Sequence, residues 1–106
     1  ILAGGALSGT EARHPLSMQD VEPIGSGVDY KTDVLRALHF ENLVKEGHAL
    51  DLPELAIRYA VSNSNLSTIE VGIASNEELM KAVKSVNRGP LSSSTLNQIK
   101  TVQNNF

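Results

Sequence analysis

The sequence predicts an α/β fold in which two parallel strands are joined through helices, within a sheet larger than this chain builds alone. Three observations predict it. Apolar and β-branched residues gather in two short stretches, Ile1 to Leu7 and Ser67 to Ile73. Helical periodicity with start and stop signals fills the rest. The resulting order is strand, long loop, helix, helix, strand, helix, helix. Strands separated by helices make a right-handed parallel crossover, and a parallel sheet needs both faces covered. Two such strands do not satisfy that need, so the 106 residues read as a piece of something larger.

Taken in order, Ile1 to Leu7 is apolar until Gly4-Gly5 breaks it, which reads as a strand end running into a tight loop. Ser8 to Tyr30 holds His14-Pro15, Glu22-Pro23 and Gly25-Ser26-Gly27, and reads as a long surface loop. Loops beyond about 12–15 residues are often functional. Thr32 or Asp33 is placed to cap a helix running to about Glu46, with Leu35, Leu38 and His39 on one face and Phe40, Leu43 and Val44 continuing the stripe. Gly47 stops it. Asp51 caps the next helix, with Pro53 near its first position and Glu54 completing a D-x-x-E box. Leu52, Leu55, Ala56 and Tyr59 follow helical spacing until Ser62-Asn63-Ser64-Asn65. In Ser67 to Ile73, Thr68, Ile69, Val71 and Ile73 are β-branched, which predicts the second strand. Ser75-Asn76-Glu77-Glu78 is a capping box, followed by an apolar stripe of Leu79, Ala82, Val83 and Val86 and a stop at Gly89-Pro90. One of Ser92 to Ser94 caps a last helix bearing Leu96, Ile99 and Val102.

Composition narrows the function classes. Cysteine is absent, which excludes disulfides and zinc–thiolate sites and fits a reducing, cytoplasmic setting. Twelve acids against nine bases give a net charge of −3, without the basic face that nucleic-acid binding requires. Apolar runs are short, so no membrane span is expected. No basic n-region precedes the apolar start, which predicts no signal peptide. The missing Met suggests a processed product or part of a longer protein. Two Phe, two Tyr and no Trp leave any core to Leu, Ile, Val and Ala.

Candidate sites follow from local chemistry. Val71 to Glu78 reads as strand, short loop and capped helix, and the free N–H groups at such a helix start attract anions, with a cofactor phosphate the usual occupant. The ordinary alternative is a capping box that satisfies its own amides. Ala3-Gly4-Gly5 lets a backbone approach a ligand closely, or simply makes a turn; it is not a G-x-G-x-x-G fingerprint. His14, His39 and His48 show no ligand spacing, so no metal site is expected. His39 reads as a packing residue, His48 as meeting solvent or a C-terminal carbonyl, and His14 as a solvated loop residue with a substrate contact as the sharper alternative. Arg58 and Arg88 read as surface ion-pairing charges. No G-x-S-x-G elbow occurs.

Three stretches together resemble the C-terminal part of the aldo-keto reductase family. Leu2-Ala3-Gly4-Gly5-Ala6-Leu7-Ser8-Gly9 resembles that family's seventh strand and its "PLAxGLLTG" loop. Leu55-Ala56-Ile57-Arg58-Tyr59-Ala60-Val61-Ser62 resembles the "LALRWxLS" helix. Ser67 to Ser75 with Glu77-Glu78-Leu79 resembles strand eight and "VGxSSxEQLxEN". Arg13-His14-Pro15 is similar to a "WHPAS" stretch of the sugar-oxidising branch, the galactose, arabinose and fucose dehydrogenases.

The resemblance implies the last quarter of a (β/α)8 barrel, strands seven and eight with their helices, occupying residues 1–106 as one part of a single barrel domain. It implies an NAD(P)-dependent oxidoreductase moving hydride between nicotinamide and an aldose or aldehyde. The family's catalytic Asp, Tyr, Lys and His lie on earlier strands, so no catalytic residue is expected here and the chain alone is expected to be inactive. By resemblance, Leu2, Ala3 and Gly5 lie along the cofactor's pyrophosphate, Gly72, Ile73, Ala74 and Ser75 form the loop after strand eight, and Glu78 and Ala82 lie near the adenosine. NADP-using members commonly carry Lys or Arg at the positions of Gly72 and Glu78 and Asn at that of Ala82. A 2′-phosphate beside the Glu78 carboxylate would cost about 1–4 kcal/mol, whereas a ribose hydroxyl can hydrogen-bond to it. NAD is therefore the expected cofactor and NADP the alternative. The expected partners are the dinucleotide, a small carbonyl or sugar substrate and the rest of the barrel chain. Two other readings stay open: a small non-enzymatic interaction domain, and a non-catalytic aldo-keto-like subunit that senses nicotinamide.

Overall fold

Side-chain caps decide where the helices begin in the computed structural model, which describes residues 1–106. Asp29 accepts the N–H of Thr32 at 2.6 Å and opens α1, Tyr30–Leu38. A short α2, Glu41–Lys45, follows without a side-chain cap. Asp51 accepts from the N–H of Glu54 at 2.8 Å and opens α3, Leu52–Val61, with Pro53 at its start. Ser75 and Ser92 cap α4, Asn76–Asn87, and α5, Ser93–Gln103, by accepting the N–H of Glu78 at 3.2 Å and of Thr95 at 3.1 Å. Each cap satisfies a donor that the helix itself leaves free.

Neither expected strand forms. The first is replaced by a 3₁₀ segment, Ala3–Ser8, which Gly4 and Gly5 break at φ +66° and +103°. Those angles are incompatible with a strand and suit glycine. Ser67 to Ala74 runs without helix or ladder. A strand exists only through its partners, and one hydrogen bond joins the two stretches: the Ile1 ammonium donates to the Glu70 carbonyl at 3.3 Å. The chain is accordingly helical with irregular connections.

Two further expectations change. The single helix expected from Thr32 or Asp33 to Glu46 is two helices, and its cap is Asp29. Its inner face is Asp33, Val34 and Ala37, while Leu35 and His39 are exposed. Asp33 is drawn inward because it closes a loop, as described below.

The core joins α2, α3 and α5 through Leu43, Ala49, Leu55, Leu91 and Ile99, with Phe40, Leu52 and Leu96 packed against it. α1 lies on the 3₁₀ segment and α4 lies on α3. Only 13 of 106 residues are buried, so the core is small. On α4 the expected apolar stripe is not covered: Leu79, Val83 and Val86 are each more than 40% exposed.

A buried ionic knot ties α3 to the α4–α5 junction. Glu54 receives Arg58 Nη1 at 3.2 Å on one oxygen and Arg88 Nη1 at 2.6 Å on the other. Arg58 also donates through Nε to the Gly89 carbonyl at 3.0 Å and through Nη2 to that of Pro90 at 3.2 Å. Arg58, expected as a surface charge, is mostly buried, whereas Arg88 stays exposed and ion-pairs as expected, with the buried Glu54 carboxylate as the shared partner. His48, expected at solvent or a carbonyl, meets the Thr95 hydroxyl at 2.7 Å through Nδ1 and Glu46 at 3.5 Å through Nε2. His39 packs edge-on against Phe106.

Candidate functional site

The 3₁₀ segment, the long loop, the start of α3 and the stretch leading into α4 enclose one cleft of about 660 Å³. That volume lies in the range of small-molecule sites. Leu2 and Gly5 line it from the N-terminal end, and Gly72, Ile73, Glu78 and Ala82 from the other. These residues are some seventy positions apart in the chain, and the Ile1 to Glu70 hydrogen bond at 3.3 Å links their segments. Two of the expected residues, Ala74 and Ser75, are absent from the lining, and Ala3 faces a separate apolar cavity of about 250 Å³ beside Phe40, Leu55 and Phe106.

At the start of α4 the capping box closes largely on itself. Ser75 Oγ accepts the Glu78 N–H, and a Glu78 carboxylate oxygen accepts the Ala74 N–H at 2.6 Å. The N–H groups of Asn76 and Glu77 have no acceptor in the chain, and the second Glu78 oxygen has no donor. Nothing stands within 4 Å of the place a side chain at Gly72 would take. Lys81 also lines the cleft, and its ammonium pairs with Glu77 at 3.5 Å.

The long loop contributes Arg13, His14 and Tyr30 to the cleft. Arg13 donates through Nε to the Met18 carbonyl and through Nη1 to the Gly4 carbonyl and to Tyr30 Oη, the last at 3.2 Å. Its guanidinium lies 5.4 Å from the Tyr30 ring centroid, a cation–π distance. His14 is half-buried and lines the cleft, with Nδ1 accepting the Leu16 N–H at 3.1 Å.

Asp33 holds the far end of the loop. Its carboxylate accepts the N–H groups of Ile24 at 2.9 Å, Gly25 at 3.1 Å and Ser26 at 2.6 Å. Hydrogen bonding from Ser26 lowers its pKa most, burial opposes that, and the amides of Gly25, Ser26 and Ile24 add to it. The result falls from 3.8 to about 2.

Sequence reasoning gave Arg13 only as part of the Arg13-His14-Pro15 stretch and Asp33 only as a candidate cap, and assigned Tyr30 no role. A loop with several amides in a Gly-Ser-Gly stretch is a signal for a nearby carboxylate, but nothing local says that Asp33 supplies it. No group of three or more His, Asp or Glu side chains gathers as a metal site, and no helix is long and apolar enough to cross a membrane.

An arginine free of any acid partner and a carboxylate with one oxygen lacking a donor, Arg13 and Glu78, line the same cleft.

A family model described as the aldo/keto reductase family matches residues 1–104. No curated protein and no solved structure matches the chain.

Proposed function

From the premise that the chain belongs to the aldo/keto reductase family, whose members are NAD(P)-dependent oxidoreductases, we propose that it forms the cofactor-holding side of such an enzyme. The observation that carries the reading is the meeting of Leu2, Gly5, Gly72, Ile73 and Glu78 around one cleft. In this reading Leu2 and Gly5 border the pyrophosphate. The loop of Gly72, Ile73, Ala74 and Ser75 runs beside it, with Ala74 and Ser75 acting through the backbone that Glu78 and Ser75 itself hold rigid. Ala3 turns its side chain into the apolar cavity and fixes the segment rather than touching the ligand.

A bound nicotinamide supplies the hydride donor or acceptor. The chain's own residues bind and orient; none is assigned a catalytic role. The substrate is proposed to be an aldose or aldehyde, with the Arg13-His14-Pro15 loop pointing to the sugar-oxidising branch. The parent fold is proposed to be a (β/α)8 barrel, of which residues 1–106 make the last quarter. Support comes from the family match over residues 1–104 and from the uncovered apolar residues of α4. By the same reading the 106 residues alone are inactive, and the cysteine-free composition suits the cytoplasm.

NAD is the proposed cofactor. Glu78 lines the cleft with one carboxylate oxygen that has no donor, an acceptor that suits a ribose hydroxyl and not a 2′-phosphate. In the intact protein, Glu78→Arg is expected to raise the NADP-to-NAD ratio of kcat/KM by about tenfold or more. An unchanged ratio refutes the assignment of Glu78.

A further inference from the structure

The long loop delivers a single cation to the cleft, and its placement is over-determined. Arg13 is fixed by the Gly4 and Met18 carbonyls and by Tyr30 beneath its plane. No carboxylate is within ion-pair reach of it, unlike Arg58, Arg88, Lys45 and Lys81. Its Nη2 donates to nothing in the chain. A guanidinium with a free donor edge, held in place before a ligand arrives, is suited to phosphate oxygens.

Gly5 gives an independent reason. A side chain there would stand 2.9 Å from Arg13 Nη1 and 3.1 Å from Tyr30 Oη, so the room that this glycine opens is filled by the arginine and the tyrosine. Its φ of +103° is also one that other residues rarely adopt. The glycine thus makes the seat of a cation rather than a gap for bare backbone.

We propose that Arg13, seated on Gly5 and Tyr30, is the residue that binds a phosphate group in this cleft. The inference rests on the dinucleotide reading and names the side chain that meets the charge. The phosphate comes from the dinucleotide's pyrophosphate or from a phosphorylated sugar. Of the acids in the lining, Asp51 caps α3, and Glu78 holds the Ala74 N–H with one oxygen while the other has no donor, so the phosphate is placed at the Arg13 end of the cleft, away from Glu78.

The test is calorimetric binding to the intact protein of NAD, ADP-ribose, ribose 5-phosphate and adenosine, with Arg13→Gln and Arg13→Lys compared with wild type. Arg13→Gln is expected to weaken a phosphate-bearing ligand about tenfold or more, to flatten the salt dependence of its binding and to leave adenosine unchanged. Weakening confined to NAD and ADP-ribose identifies the pyrophosphate; weakening confined to ribose 5-phosphate identifies a sugar phosphate. Arg13→Lys, which keeps the charge and loses the fork, is expected to lie between the two, and it carries the test if Arg13→Gln does not fold. Equal affinities in wild type and both variants overturn the role of Arg13 and leave the dinucleotide reading standing. Failure of the wild type to bind NAD or ADP-ribose overturns the dinucleotide reading itself.

Discussion

At Asp33 a single carboxylate organises a loop that has no regular structure of its own. Three amides converge on it from Ile24, Gly25 and Ser26, and Arg36 Nη1 approaches the Gly25 carbonyl at 3.3 Å. The loop whose far end it anchors is the one that also carries Arg13 and His14. Replacing Asp33 with Asn leaves one acceptor oxygen where three donors need two. The expected loss is about 1–3 kcal/mol, read as a lower urea midpoint at neutral pH. The pH dependence has a definite sign. The folded pKa is about 2 and the ordinary value 3.8, so the stabilisation is complete above about pH 4 and is lost as pH falls toward 2. Asp33→Asn removes that part of the acid sensitivity, and a wild-type and a variant that lose stability in parallel between pH 4 and 2 would contradict it.

Elements are joined here by polar contacts as much as by apolar ones. Glu54 lies on α3 and is 4% exposed, yet it holds arginines from its own helix and from the end of α4. Glu54→Ala leaves two guanidiniums without their anion. Breaking a fully enclosed pair costs about 3–5 kcal/mol, but Arg88 is partly in water, so about 2 kcal/mol is expected. Glu54→Gln should recover part of this by keeping an acceptor. If both variants melt like wild type, the knot does not join α3 to the α4–α5 junction. The same elements show what a sequence can disclose. The starts at Asp51, Ser75 and the Ser92 region, and the stops at Gly47 and Gly89-Pro90, were legible because a cap is settled within four residues. The face of α1 was not, because the burial of Asp33 depends on amides eight positions away. The strands were not, because a ladder depends on neighbours. The Arg13 seat was hidden for the same reason: Gly5 reads as a turn glycine until the loop is folded back onto it.

For the whole molecule, the proposed barrel reading has a physical consequence for the 106 residues taken by themselves. The core that joins α2, α3 and α5 rests on five buried residues, and the only aromatic cluster, Phe40, His39 and Phe106, lies at its edge. α4 meanwhile leaves Leu79, Met80, Val83 and Val86 exposed along one helix. In the proposed barrel reading this face of α4 is one that another part of the protein covers. The isolated chain is therefore expected to bind ANS strongly, to melt over a broad range and to show weak near-UV dichroism while keeping its far-UV helical signal. Charging the α4 face with Val83→Glu separates the two readings of that surface. In the isolated chain the change meets water and should alter stability by no more than about 0.5 kcal/mol. In the intact protein, with the face covered, it buries an unpaired carboxylate and should cost several kcal/mol. A sharp, ANS-free melt of the chain alone, together with an intact protein indifferent to Val83→Glu, would instead identify a self-sufficient helical module and remove the structural support for the missing barrel.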